Sequence, residues 1–192
     1  MDIDTSLREL GAVDSKPLQE LILSQEELAW HEDTYRQQQY DVHSETQSIV
    51  MVFTHGDNWP NSEIRREPGW DRLADAAIPL MESIVEKHYQ PGGTIIRAMA
   101  AKLLSGGIIK PHRDKHPSFA AAHRIHVPIS ANPRVRFMID GRPHQLKVGH
   151  AYEVNNQQMH SVVNKGSEDR ITFIFDYVPS SVLDEIPDST TQ

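Results

Sequence analysis

His112 and Asp114 stand two residues apart in the run Lys110-Pro111-His112-Arg113-Asp114, so on an extended strand both side chains point to the same face. Such a pair offers an imidazole nitrogen and a carboxylate oxygen to one point in space. Cysteine is absent, which excludes disulfides, thiolate metal sites and cysteine nucleophiles, so a protein-bound metal must rely on imidazole and carboxylate. His160, in Met159-His160-Ser161-Val162-Val163-Asn164, follows Asp114 by 46 residues within the same strand-rich half and can supply a third ligand. Two imidazoles and one carboxylate make the facial triad of non-haem Fe(II) oxygenases, which leaves three coordination positions open.

Two of those positions can hold the 2-oxo and carboxylate oxygens of 2-oxoglutarate, with O2 taking the last. The far carboxylate of 2-oxoglutarate then needs a cation deeper in the fold. Arg170, ten residues after His160 at the head of the final strand, has the right chemistry, because a planar guanidinium binds a carboxylate in bidentate fashion. Each residue alone has a plainer reading. The chain has eleven histidines, so an isolated His-x-Asp is a weak signal, and an isolated Arg170 reads as an ion-pair partner for Asp169 or Glu168. The joint spacing favours the site. Arg124 and His126, also two apart, read either as further donors to the 2-oxoglutarate carboxylates or as an ordinary charged pair beside the barrel mouth.

The elements that must position these residues follow from periodicity. Leu18, Leu21, Ile22 and Leu28 recur at helical spacing after Pro17 and predict one helix between Lys16 and Trp30. Residues 47–53 read as a strand ending in the loop His55 to Asn61. Trp70, Leu73, Ala76, Ala77, Leu80, Ile84 and Val85 predict a second helix, stopped by Pro91-Gly92-Gly93. From Thr94 about eight short strands follow, at roughly 94–104, 108–112, 124–129, 134–139, 143–147, 151–154, 159–164 and 170–178. This is a mainly β pattern, a jelly roll with N-terminal helices packed on one sheet. In the last strand Ile171, Phe173, Phe175 and Tyr177 form an apolar face for the helices, while Arg170, Thr172, Ile174 and Asp176 face a pocket. Residues 1–192 are read as a single domain, with a β core at 94–178 and flexible tails at about 1–12 and 181–192.

A formal net charge of -8 and a pI near 5.7 oppose binding to nucleic acid, whose affinity comes from Lys and Arg neutralising phosphates. The N-terminus lacks a signal peptide's basic and apolar regions, and no apolar run approaches the roughly 20 residues of a bilayer span. A cytoplasmic protein with a small-molecule or peptide substrate is expected.

Assembled in order, these residues resemble the aspartyl/asparaginyl β-hydroxylase domain family over about Arg97 to Val178. The blocks that carry the likeness are Gly106-Gly107-Ile108-Ile109-Lys110-Pro111-His112-Arg113-Asp114, Arg124 to Ile129, Gly149 to Val154, His160 to Asn164 and Asp169-Arg170-Ile171 to Asp176. The resemblance implies a double-stranded β-helix, Fe(II) and 2-oxoglutarate, and hydroxylation of an unactivated C–H bond with release of succinate and CO2. It further implies that His112, Asp114 and His160 hold the iron, Arg170 anchors the co-substrate, and Arg124 and His126 make secondary carboxylate contacts. The animal members that name the family carry glycine where this chain has Asp114. The chain therefore resembles the bacterial branch with a complete triad, and protein-aspartate specificity does not follow.

Two other readings use the same ligands. A cupin-like metal-binding or sensor module needs no carboxylate anchor, and a zinc hydrolase finds no use for the β-rich frame or for the Arg170 spacing. The substrate-facing surface is expected to combine the strand around Thr46-Gln47-Ser48, the loop His55 to Asn61 and the segment Lys115 to Ala122, which is long enough to form a lid. Trp59 reads as a substrate contact or, more simply, as a packing anchor for its loop.

Overall fold

The computed structural model describes residues 1–32 and 45–184. Its elements are β1 (Leu7–Ala12), α1 (Lys16–Leu23), a 3₁₀ turn (Glu27–His31), β2 (Thr46–His55), β3 (Glu63–Arg66), α2 (Gly69–His88), β4 (Thr94–Leu103) and β5 (Ile108–His112). There follow α3 (Ser118–Ala121), β6 (His123–Pro128), β7 (Val135–Ile139), β8 (Arg142–His144), β9 (His150–Val154), β10 (His160–Asn164), β11 (Arg170–Val178) and α4 (Ser180–Asp184). The strands form a major sheet of order β1-β9-β6-β11-β4-β2-β3 and a minor sheet of order β5-β10-β7-β8. This is the expected double-stranded β-helix with helices on one sheet. Among the described residues no helix is long and apolar enough to cross a membrane.

β11 lies between β4 and β6 and is buried along its whole length. Its odd-numbered residues Ile171, Phe173, Phe175 and Tyr177 join a core with Leu18 and Ile22 of α1 and Leu73, Ala77, Leu80, Met81 and Ile84 of α2. Its even-numbered residues face inward, and the ladder aligns them in rows. Arg170 sits opposite Leu103, Thr172 between Ala101 and Pro128, Ile174 between Met99 and His126, and Asp176 between Arg97 and Arg124. The six-residue span from Arg170 to Asp176 covers about 20 Å of strand. The inner face therefore carries charge at both ends, with the uncharged Thr172 and Ile174 between.

The helix expected between Lys16 and Trp30 is interrupted. Ser24 Oγ and Gln25 Nε2 both donate to the Leu21 carbonyl, capping α1, and Glu26 is extended before the 3₁₀ turn. The second helix begins at Gly69, where a Cβ would stand 2.4 Å from the Val50 carbonyl oxygen, so only glycine lets the helix start this close to β2. The strand expected at 143–147 shortens to β8, and two strands were not anticipated. β3 is a fully exposed edge strand, Glu63-Ile64-Arg65-Arg66, whose charges blunt the sheet edge.

The other unanticipated strand corrects the reading of residues 1–12 as a frayed tail. β1 pairs antiparallel with β9 across a bulge between Glu9 and Gly11, and Asn155 Nδ2 donates to Asp2 Oδ1 at 2.7 Å and to the Ile3 carbonyl at 2.8 Å. At the C-terminus residues 180–184 form α4; the rest of the expected tail lies outside the described residues.

Buried Glu153 pins β1 to the body of the protein. Its carboxylate accepts from Tyr89 at 3.1 Å and lies 2.5 Å from both Arg8 Nη2 and His123 Nδ1. Burial alone would raise the Glu153 pKa, but His123 and Arg8 outweigh it and hold the carboxyl below its ordinary value. A depressed folded-state pKa contributes stability that is present above the unfolded value of about 4.3 and is lost as pH falls through the folded value. Glu153→Gln is therefore expected to cost about 2 kcal/mol at pH 7. Chemical denaturation from pH 7 to below pH 4 should show the gap between variant and parent narrowing as the pH falls.

Candidate metal centre

The triad is assembled where β5 meets β10. His160 pairs directly with His112, while Val162 pairs with Ile109, so β5 carries one extra residue at Lys110-Pro111. Pro111 has no N–H for the ladder, which suits it to a bulge. The bulge re-aims the strand, and Ile109 and His112, three residues apart, line the same cavity. Asp114 lies beyond the end of β5 rather than on it, with its backbone N–H donating to the Asn156 carbonyl at 3.3 Å. The expectation that the strand itself aligns His112 with Asp114 is corrected to that extent; the two residues converge all the same.

The ligand atoms of His112, Asp114 and His160 lie within 4.8 Å of one another. Asp114 Oδ1 faces both imidazoles, 3.7 Å from His112 Nε2 and 4.0 Å from His160 Nε2. His112 Nδ1 is 2.8 Å from the Lys110 carbonyl and His160 Nδ1 is 3.0 Å from the Gln158 carbonyl. A carbonyl can only accept, so each Nδ1 carries the proton and each Nε2 turns a lone pair toward Asp114 Oδ1. Burial pushes the His160 pKa down, partly opposed by Asp114, which favours the neutral ring that a metal requires.

The cavity at the triad, about 50 Å³, is also lined by Arg124, His126, Phe137, Ile174 and Arg170. All six sequence-derived site residues therefore meet in one place. Arg170 is 6% exposed, with its guanidinium 5.9 Å from the centre of the Phe137 ring. Among the described residues no carboxylate pairs with it: Asp169 instead accepts from the Ser105 backbone N–H, and burial alone pulls the Arg170 pKa down to about 10. The plainer reading of Arg170 as a partner for Asp169 is thereby set aside. Arg170 and Phe137 also wall a second cleft of about 430 Å³ between residues 128–135 and 144–148.

Arg124 behaves differently. Its Nη1 donates to both oxygens of Asp176 at 2.9 Å, and its Nε stands 3.4 Å from Asp114 Oδ2. His126, between the two arginines on the inner face, stacks on Phe137 at 5.8 Å.

The three segments expected around the mouth are partly joined. Thr46 lines the triad cavity, and His116 Nε2 donates to the Gly56 carbonyl at 2.9 Å, tying residues 115–122 to the loop 55–61. Trp59 packs against Ile96, Ala122 and Val178, so it anchors its loop. A larger hollow, about 720 Å³, lies on the other face of the major sheet between α2 and β3 and shares no residue with the triad cavity. Sequence reasoning missed Arg97 and Phe137, and it placed Asp176 on the pocket face without giving it a role; the signal for all three was only the inward parity of their strands.

A family model described as aspartyl/asparaginyl beta-hydroxylase matches residues 17–179. No match is found among curated proteins. Among solved structures, a 2OG-Fe(II) oxygenase family oxidoreductase from Burkholderia pseudomallei superposes with TM-score 0.52 and 11% identity, covering 71% of this chain and 69% of that one. A non-heme monooxygenase, ThoJ, in a nickel complex superposes with TM-score 0.57 and 12% identity, covering 91% of this chain and 74% of that one. At these identities the likeness is one of fold.

A buried guanidinium with no counter-charge is a cost to the ligand-free fold. Arg170→Met, which keeps the bulk and removes the charge, is expected to raise stability by about 1–4 kcal/mol. Thermal unfolding of the protein stripped of metal and anions measures this, and a lower melting temperature than the parent's would show that Arg170 is compensated in solution.

Proposed function

The chain belongs to the aspartyl/asparaginyl β-hydroxylase family, and from that premise we propose that it is an Fe(II)- and 2-oxoglutarate-dependent dioxygenase. It hydroxylates an unactivated C–H bond of an amino-acid, peptide or related small-molecule substrate. One oxygen atom of O2 enters succinate, formed with CO2 from 2-oxoglutarate, and the other enters the substrate.

The observation that carries this reading is the pairing of two features in one cavity: a set of two imidazoles and a carboxylate, and a buried guanidinium with no acid beside it among the described residues. The donor set suits Fe(II), and Arg170 suits a carboxylate-bearing ligand; a metal-binding module without co-substrate has no use for the second. His112 Nε2, Asp114 Oδ1 and His160 Nε2 are the atoms that would hold the metal. Bound iron supplies the open positions at which co-substrate and oxygen meet and the redox chemistry that a side chain cannot perform.

The chain's own residues do the rest. The Nδ1–H bonds to the Lys110 and Gln158 carbonyls hold the two rings in the ligating tautomer. Arg170 fixes the far carboxylate of 2-oxoglutarate and so its direction in the cavity. Phe137 and Ile174 give the cavity apolar walls that limit water around the reacting groups, and His126 adds a polar edge between the triad and Arg170. Substrate enters past residues 55–61 and 115–122, which the His116–Gly56 bond holds together.

Conversion of 2-oxoglutarate to succinate by the iron-loaded protein, stimulated by substrate pools and accompanied by a mass gain of one oxygen, tests the reading. His160→Ala is expected to abolish turnover, and turnover equal to the parent's would sink the assignment. In anaerobic titration of the Fe(II) form, 2-oxoglutarate should change the visible spectrum. Arg170→Met should need about 100-fold more 2-oxoglutarate for the same change, the loss expected for a bidentate charge-assisted contact of about 3 kcal/mol.

A further inference from the structure

Four charges run in a line away from the triad, half-buried Asp114 followed by buried Arg124, Asp176 and Arg97. Asp114 divides its carboxylate: Oδ1 faces the two imidazoles, while Oδ2 faces Arg124 Nε at 3.4 Å. Arg124 is gripped from behind by both oxygens of Asp176 at 2.9 Å. Asp176, wholly buried, also faces Arg97 Nη1 at 3.5 Å. Arg97 in turn donates to Ser118 Oγ at 2.8 Å, and its Nη2 lies 3.4 Å from His116 Nδ1. The Phe119 ring covers both guanidiniums, 4.3 Å from Arg97 and 4.9 Å from Arg124. The line thus joins a candidate metal ligand to residues 116–119 beside the mouth.

A carboxylate that ligates through one oxygen must be kept from rotating, because its two oxygens are chemically equal and Asp114 lies past the end of its strand, where no ladder restrains it. An ion-pair contact on the second oxygen favours one orientation, provided the cation is itself immobile. Arg side chains carry large rotamer freedom, and Asp176 restricts it by holding Nη1 with both oxygens. The cross-strand pairing of Asp176 with Arg124 and Arg97 sets all three in one row of the inner face.

We propose that Asp176 is a positioning residue: through Arg124 it orients Asp114 for metal binding, and through Arg97 it couples that orientation to the segment 115–122. This rests on reading His112, Asp114 and His160 as metal ligands. It also gives Arg124 a different task from a direct contact with the co-substrate. Coupling is reciprocal, so metal bound at Asp114 should order the segment, and loss of the link should remove that effect.

The test is anaerobic titration of the metal-free protein with Co(II), without 2-oxoglutarate, following the visible ligand-field bands. Asp176→Asn is expected to weaken Co(II) binding about 10- to 100-fold, the range for loss of a group that orients a ligand, and to alter the band shape. Hydrogen exchange should show protection of residues 118–122 on Co(II) addition in the parent but not in Asp176→Asn. A merely structural Asp176 would lower the melting temperature while the folded variant bound Co(II) as the parent does, and that result overturns the proposal. Should circular dichroism show Asp176→Asn unfolded, Arg124→Lys replaces it: a compact ammonium cannot bridge Asp114 and Asp176, so the same weakening is expected, and parental affinity overturns the proposal. A parent that binds no Co(II) refutes the ligand assignment and the proposal together, whereas a binding parent with an equally tight variant refutes the proposal alone.

Discussion

The placement of the inward-facing charges of the major sheet depends on how β11 is held between β4 and β6. A strand has a side-chain period of two, so a slip of one residue would exchange its faces. Arg170 and Asp176 would then be driven against α1 and α2, and Phe173 and Phe175 would fill the cavity. The register is secured from both sides. On the outer face Phe173 and Phe175 are completely buried against the helices, and on the inner face Asp176 meets Arg97 and Arg124 in one row. Hydrophobic burial and ion pairing therefore select the same alignment. Helices α1 and α2 contribute to the site only indirectly, by making the other face of β11 too costly to expose.

The two ends of that inner face are electrostatically unlike. At the Asp176 end, two guanidiniums and two carboxylates balance one another, and the Phe119 ring covers the cations. At the Arg170 end, a single guanidinium is buried with no acid beside it among the described residues. A low-dielectric interior magnifies that difference, since the attraction between unit charges at a given distance grows as the effective dielectric falls. An anion entering the cavity thus gains most at Arg170 and little at Arg124, whose charge is already met. Under the proposed function, this asymmetry would turn the far carboxylate of 2-oxoglutarate toward Arg170.

The same contrast explains what sequence could show and what it could not. His112, Asp114 and His160 are legible because metal ligation demands specific residue types, and Arg170 because its inward parity on a strongly alternating strand is apparent in Ile171, Phe173, Phe175 and Tyr177. Most strand positions follow from the same alternation. β1 was hidden because Leu10 is its one fully buried residue and a bulge breaks its period, and β3 because none of its residues is buried. Arg124 was visible as a polar residue of the right parity. Its pairing with Asp176 was not, because the two meet across 52 residues of chain and nothing local distinguishes an arginine that holds a ligand from one that binds a co-substrate.

The bulge at Lys110-Pro111 shows how little local irregularity the site requires. Without it, His112 would point away from Ile109's face and the cavity would lose a ligand. With it, β5 ends at His112, and Asp114 emerges on freed backbone that the β-ladder no longer controls. A ligand placed off the strand can reach the centre at the right height but arrives with an unrestrained side-chain torsion. The buried charges of β4, β6 and β11 supply the missing restraint from the opposite sheet. The two sheets are thus joined at the site by a carboxylate whose backbone belongs to one and whose orientation is set by the other.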